Sequence, residues 1–223
     1  MKARMDSLFS RFSSAQLSVF KRLRTPQRVQ NFLDYELDYN DDPAAACLSP
    51  LGVLKARRAH CIEGAMLAAA AFLFHGRRPL LLDLRADPTD DDHVIAPFRE
   101  KNRWGAVAQS SFCGLRYREP IYGSVAELAK SYFEFYYGKS GKKTLREFSG
   151  PFDAAALPPE WLYCTDAGFV GALLDDARHY RILGVRQEKK LRRADSLLFE
   201  AELHGAGKKP LVRRRPLPYS QLI

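Results

Sequence analysis

The spacing of apolar and polar positions changes several times along this chain, and each change marks an element. Ile62 to Phe74 is apolar almost without interruption, with Glu63 its single charge and Gly76 just beyond. That length and the glycine stop predict a buried helix opening at Cys61. The next apolar run, Pro79 to Leu84, is short and bounded by turn residues, so it reads as a buried strand. An acidic turn over Asp87–Asp92 follows, then strands over His93–Phe98 and Trp104–Ser110 joined by a polar turn at Glu100–Arg103. Thr25-Pro26 is an N-cap with a first-turn proline, which predicts a helix from Gln27 to Leu37. Ser124, with Glu127 three residues on, caps another over Val125–Tyr137. A helix followed by a meander of strands is an α+β arrangement, its antiparallel sheet lying on the Cys61 helix.

Composition narrows the class. The chain has 223 residues, 46% hydrophobic and 27% charged, enough for one good core. Its formal charge of +9 is uneven. Residues 1–30 hold seven Lys/Arg and one acid, residues 186–223 ten and four, and the stretch between is slightly acidic. The expected division is a basic N-terminal helix or tail over 1–24, a core over 25–185 and a basic C-terminal extension over 186–223. Basic tails can contact nucleic acid or an acidic surface nonspecifically. The Ser-rich, basic start also has the look of an organelle import signal. Cys47, Cys61, Cys113 and Cys164 show neither C-x-x-C nor zinc spacing, which fits reduced thiols in a cytoplasm, and no metal or cofactor is expected.

Cys61 carries the candidate chemistry. At the first turn of a helix, unpaired N–H groups and the helix dipole favour negative charge, so the thiol is expected to shift toward the thiolate. Arg57 and Arg58 precede it. His60 is its sequence neighbour, but adjacent helical positions diverge by about 100°, which argues against both serving one site.

A cysteine at a helix start followed by a histidine at a strand start is the order of parts in papain-like cysteine enzymes. It resembles the transglutaminase-like superfamily more closely. The resemblance runs over about residues 58–110, on Cys61-x-Glu63-Gly64-Ala65, Asp92-His93-Val94-Ile95-Ala96 and Trp104-Gly105-Ala106-Val107. It implies a Cys61 nucleophile and a His93 general base that pass an acyl group through a thioester to water or an amine. A hydrolase, protease or amidase, is favoured over a crosslinking enzyme. The substrate would be a peptide, amide or other acyl compound. Such enzymes place an acid about four residues after the strand tryptophan, where this chain has Ala108.

Antiparallel register offers substitutes for that acid, because directly opposed residues have a constant number sum. A turn centred on Pro88 sets Asp83 opposite His93, and one centred on Lys101 sets Gln109 there. Asp83 is preferred as the third member, because a carboxylate stabilises imidazolium better than an amide does; Gln109 is the alternative. The same registers place Leu81, Ile95 and Val107 on the face toward the Cys61 helix. The missing acid also leaves room for a second reading, a degenerate transglutaminase-like binding or scaffold protein with basic tails.

Overall fold

The computed structural model describes residues 6–42 and 46–205; the side chains of 203–205 and the whole of 1–5, 43–45 and 206–223 lie outside it. The central element is helix α4, Cys61–Phe74, preceded by α1 (Ser14–Arg22), α2 (Pro26–Glu36) and α3 (Pro50–Ala56). Eleven of its fourteen residues are buried, so it has no solvent face. Its run Ala68–Ala71 is small enough for α2 and α3 on one side and the sheet on the other to approach closely. His75 caps it, and Gly76 ends it at φ +74°, a left-handed conformation that suits glycine.

The sheet contains β3 (Leu80–Ala86), β4 (His93–Glu100), β5 (Arg103–Val107), β6 (Arg118–Tyr122), β7 (Leu145–Ser149), β8 (Phe152–Asp153) and β9 (His179–Arg181). Its order is β6-β5-β4-β3-β7-β9 with β8 also on β3, and every pairing is antiparallel. A short parallel pair, β1 (Asp38–Tyr39) with β2 (Arg58–Ala59), ties the chain after α2 to the approach to Cys61. The α+β character and the antiparallel meander on the cysteine helix are present.

Register departs from expectation by one residue, with an identifiable cause. The β4–β5 loop is the two-residue Lys101-Asn102, at φ 44° and 62°, between the paired Glu100 and Arg103. Two left-handed residues form the tight hairpin turn that matches strand twist. The turn is therefore centred between Lys101 and Asn102 rather than on Lys101, and Ala96 faces Val107. On the other side, His93 faces Leu84 while Asp83 faces Val94. A slip of one residue exchanges the faces of the sheet. Leu81, Val94, Ala96 and Val107 thus pack with α4, whereas Leu82, Leu84, Ile95 and Ala106 pack on the opposite layer with Tyr132, Tyr136 and Phe148. Ile95 is on the far face, contrary to the patch expected with Leu81 and Val107.

The opposite layer holds α5, Val125–Lys130, shorter than the helix expected to reach Tyr137. Beyond it the chain turns so that both Tyr132 and Tyr136 are buried, with Tyr132 donating to the Arg116 carbonyl at 3.0 Å and Tyr136 to that of Asp91 at 2.6 Å. The chain finishes with α6 (Gly168–Asp175), α7 (Val185–Glu188) and α8 (Ser196–Gly205). The described part of 1–24 belongs to the same core as the rest. Phe9, Phe12 and Phe20 cluster with Phe74, and His75 Nε2 donates to the Phe20 carbonyl at 2.7 Å. The described part of 186–223 packs back as well, through α8.

Gly64 shows how tightly α4 meets the sheet: a Cβ there would stand 2.4 Å from Cβ of Gln109, both groups on fixed backbone. Gly64→Ala is expected to lower stability by about 1–3 kcal/mol, the usual cost of overpacking a core. Urea unfolding of the variant with an unchanged m-value checks this.

Candidate functional site

Helix α4 begins where it does because of a buried carboxylate. Glu63, 2% exposed, accepts from the backbone N–H of His60 at 2.6 Å, the backbone N–H of Leu48 at 2.7 Å and Nδ2 of Asn40 at 3.1 Å. A carboxylate three residues inside a helix that caps the residue before it is half of a capping box, and it also suits the positive end of the dipole. This fixes His60 as the N-cap, with extended backbone at φ −78°, ψ 175°. His60 is therefore outside the helix, and the 100° divergence of helical neighbours does not apply to it. Its Nδ1 lies 3.3 Å from Sγ of Cys61, and its ring rests against Tyr39 at 5.6 Å between centroids. Sequence reasoning set His60 aside; the signal that could have retained it was Glu63 at the third helical position.

Cys61 is 4% exposed and reaches the Asp92 carbonyl at 3.9 Å. Burial pushes its thiol up to about 11, and hydrogen bonding from the Val94 and Ile62 backbone opposes this only in part. The expected shift toward thiolate is reversed, because withdrawal from water outweighs the helix terminus. At rest the Cys61 thiol is neutral.

His93 opens β4 and lines the same cavity of about 100 Å³ as Cys61 and His60. It is not among the hydrogen-bond partners of Cys61. Its ring is turned to the face away from α4, with Tyr132 and Tyr136 at 6.2 and 6.4 Å between centroids. Its Nε2 lies 2.9 Å from the carbonyl of Leu115. A carbonyl only accepts, so Nε2 carries the proton and Nδ1 of the neutral ring holds the lone pair. Burial holds the ring neutral, down to about 4.

Neither residue expected to orient His93 does so. Asp83, on the other face of β3, meets His179 instead, with Oδ2 2.9 Å from Nε2 and both side chains nearly inaccessible. Nδ1 of His179 donates to the Ala177 carbonyl at 2.7 Å, so the contact with Asp83 is one shared proton between carboxylate and ring. Burial raises Asp83 to about 6, against the lowering effect of His179. Gln109 lies over Gly64, and its buried Oε1 has no partner among the described residues. Ala108, at the position where an acid was expected, is held through its backbone: its N–H donates to Oε1 of Gln30 at 3.0 Å, and its carbonyl accepts from Nε2 of Gln30 at 2.9 Å. Asp83, Asp92 and Asp175 bring carboxylate oxygens within 4.8 Å of one another, the one cluster among the described residues that could reach a cation together. Asp83 is engaged by His179, and Asp92 accepts from the Ala86 N–H at 2.7 Å.

No protein-family model matches the sequence, and no curated protein does. Among solved structures the chain is similar to Legionella pneumophila LapG (EGTA-treated), with a TM-score of 0.36 and 14% identity over 52% of this chain and 73% of that one. Among the described residues, no helix is long and apolar enough to cross a membrane.

Two measurements follow from these environments. Burial and Glu202 raise the Cys113 thiol as well, but Cys113 is exposed, so iodoacetamide near neutral pH should label it ahead of Cys61, whose thiolate fraction at a pKa near 11 is about 10⁻⁴ at pH 7; faster labelling of Cys61 would show an activated thiolate. His93 moves from 6.5 to about 4 on folding, so the unfolded chain binds the extra proton between those values. Its contribution is complete above pH 6.5 and is lost as pH falls toward 4. In urea titrations across that window, His93→Gln should show a shallower loss of stability than the parent.

Proposed function

We propose that this protein is a cysteine acyl-transfer enzyme, transglutaminase-like in its cysteine helix and sheet and hydrolytic in outcome, with Cys61 as nucleophile. The observation that carries the reading is the Cys61 thiol at the start of α4, 3.3 Å from the Nδ1 of His60 on the wall of a shared cavity. A base must be within hydrogen-bond reach of the proton it takes, and His60 meets that condition. The sulfur attacks an acyl carbon while its proton passes to His60 Nδ1, forming the S–C bond and an oxyanion. Collapse restores the carbonyl and expels the leaving group, which takes the proton from His60. Water then attacks the thioester, giving its proton to the same nitrogen, and the departing sulfur recovers it. Because the thiol is neutral at rest, its deprotonation accompanies attack rather than preceding it.

A specific observation also supports a second reading, a non-catalytic binding protein: burial holds Cys61 near 11, far from the thiolate. p-Nitrophenyl acetate separates the two. Under the enzyme reading, the parent releases nitrophenolate in a burst, and intact-mass analysis finds an acetyl group on Cys61. Cys61→Ala abolishes both, and His60→Ala slows acylation by about 10²–10⁴-fold, the usual worth of a positioned base. If His93→Ala causes that loss and His60→Ala does not, the base is His93. No acylation of the parent across pH 6–9 supports the non-catalytic reading.

A further inference from the structure

Glu202 lies on α8, at the far end of the described chain from Cys61, yet it is only 4% exposed. Among the described residues, no cation is paired with it. Its Oε1 accepts from the Gly114 N–H at 3.0 Å and from the Cys113 thiol at 2.9 Å, and its Oε2 accepts from the same Gly114 N–H at 3.2 Å. Cys113 and Gly114 belong to the single turn Cys113–Leu115, whose last residue supplies the carbonyl that holds His93. Phe112 and Leu115, at the two ends of this turn, line the Cys61 cavity. The same helix meets another wall residue: Tyr137 donates to the Leu198 carbonyl at 3.3 Å and packs on Phe199 at 5.7 Å between centroids.

A buried carboxylate is costly unless its lone pairs are filled, so Glu202 and the turn hold each other. Without Glu202, the Gly114 N–H would lose its acceptor and the turn would be free to move, taking the Leu115 carbonyl with it. We propose that Glu202 is a positioning residue, through which the C-terminal helix latches the 112–115 turn and so fixes His93 and one wall of the Cys61 cavity. The cavity wall is thereby completed by a segment about 140 residues away along the chain. The significance of that wall for substrate rests on the acyl-transfer reading, but the latch itself can be measured without turnover.

The experiment is a ring-nitrogen NMR titration of His93 in the full-length chain carrying Glu202→Ala, Glu202→Asp or Glu202→Gln, with the exposed Glu200→Ala as control. In the parent, the ring should show the Nε2–H tautomer and titrate well below an ordinary histidine. Loss or retraction of the carboxylate in Glu202→Ala and Glu202→Asp should release the Leu115 carbonyl from Nε2, a bond that supports the protonated ring, and so should give mixed tautomers and a shifted His93 titration. Glu202→Gln keeps an oxygen for Gly114 and should remain near the parent, as should Glu200→Ala. Should Glu202→Ala fail to fold, Glu202→Asp carries the test. An unchanged His93 tautomer and titration in folded Glu202→Ala or Glu202→Asp overturns the latch. Equal shifts in all four variants overturn it too, by showing a general loosening. Failure of p-nitrophenyl acetate to acylate Cys61, with the His93 shift present, defeats the acyl-transfer reading and leaves the latch standing.

Discussion

The candidate site depends on the burial of Glu63. A carboxylate withdrawn from water must fill its lone pairs, and this one does so with two backbone N–H groups and an asparagine amide drawn from segments on both sides of α3. Those bonds fix the point at which helix α4 starts. Because His60 is held one residue outside the helix, its ring can meet the sulfur of the first helical residue. A start one turn earlier or later would break that contact and leave Glu63 unpaired. Geometry at Cys61 is thus a consequence of charge burial a few ångströms away.

The same environment sets the chemistry in tension. Shielding that makes hydrogen bonds strong also penalises the thiolate and the imidazolium. Cys61 and His93 are both driven toward their neutral forms, one upward and the other downward. Neither group rests charged, unlike the members of a preformed ion pair. His93 is oriented by a main-chain carbonyl in place of a carboxylate, which fixes its tautomer without adding charge to the cavity. The buried carboxylate on β3 is turned to another histidine, on β9.

Much was legible in the chain, and the remainder was not for definite reasons. The apolar run after Cys61 with its glycine stop, the short strands between turn clusters and the proline-led helix at Thr25 all appear where local patterning puts them, since period and punctuation are local properties. The partners of His93 were not legible. They depend on the parity of two connections, the acidic one between β3 and β4 and the two-residue Lys101-Asn102 between β4 and β5, which does not advertise its left-handed pair as Asn-Gly would. One residue of register moved His93 and Ile95 to the face opposite the one expected, while Asp83 stayed on the α4 face with Leu81. The contact between His60 and Cys61 was hidden for a related reason, because helical geometry was applied to a residue that Glu63 keeps outside the helix.

By itself the sequence determined Cys61 at the head of a buried helix and the order of the three antiparallel strands that follow it, because hydrophobic spacing and capping residues act over a few positions. Tertiary structure decided which histidine meets the thiol, which group orients His93, and that burial raises rather than lowers the thiol's pKa. Those outcomes depend on groups brought together from Asn40, Leu48, Leu115, His179 and Glu202. No local pattern encodes such distances, and desolvation exists only once the chain has closed around the site.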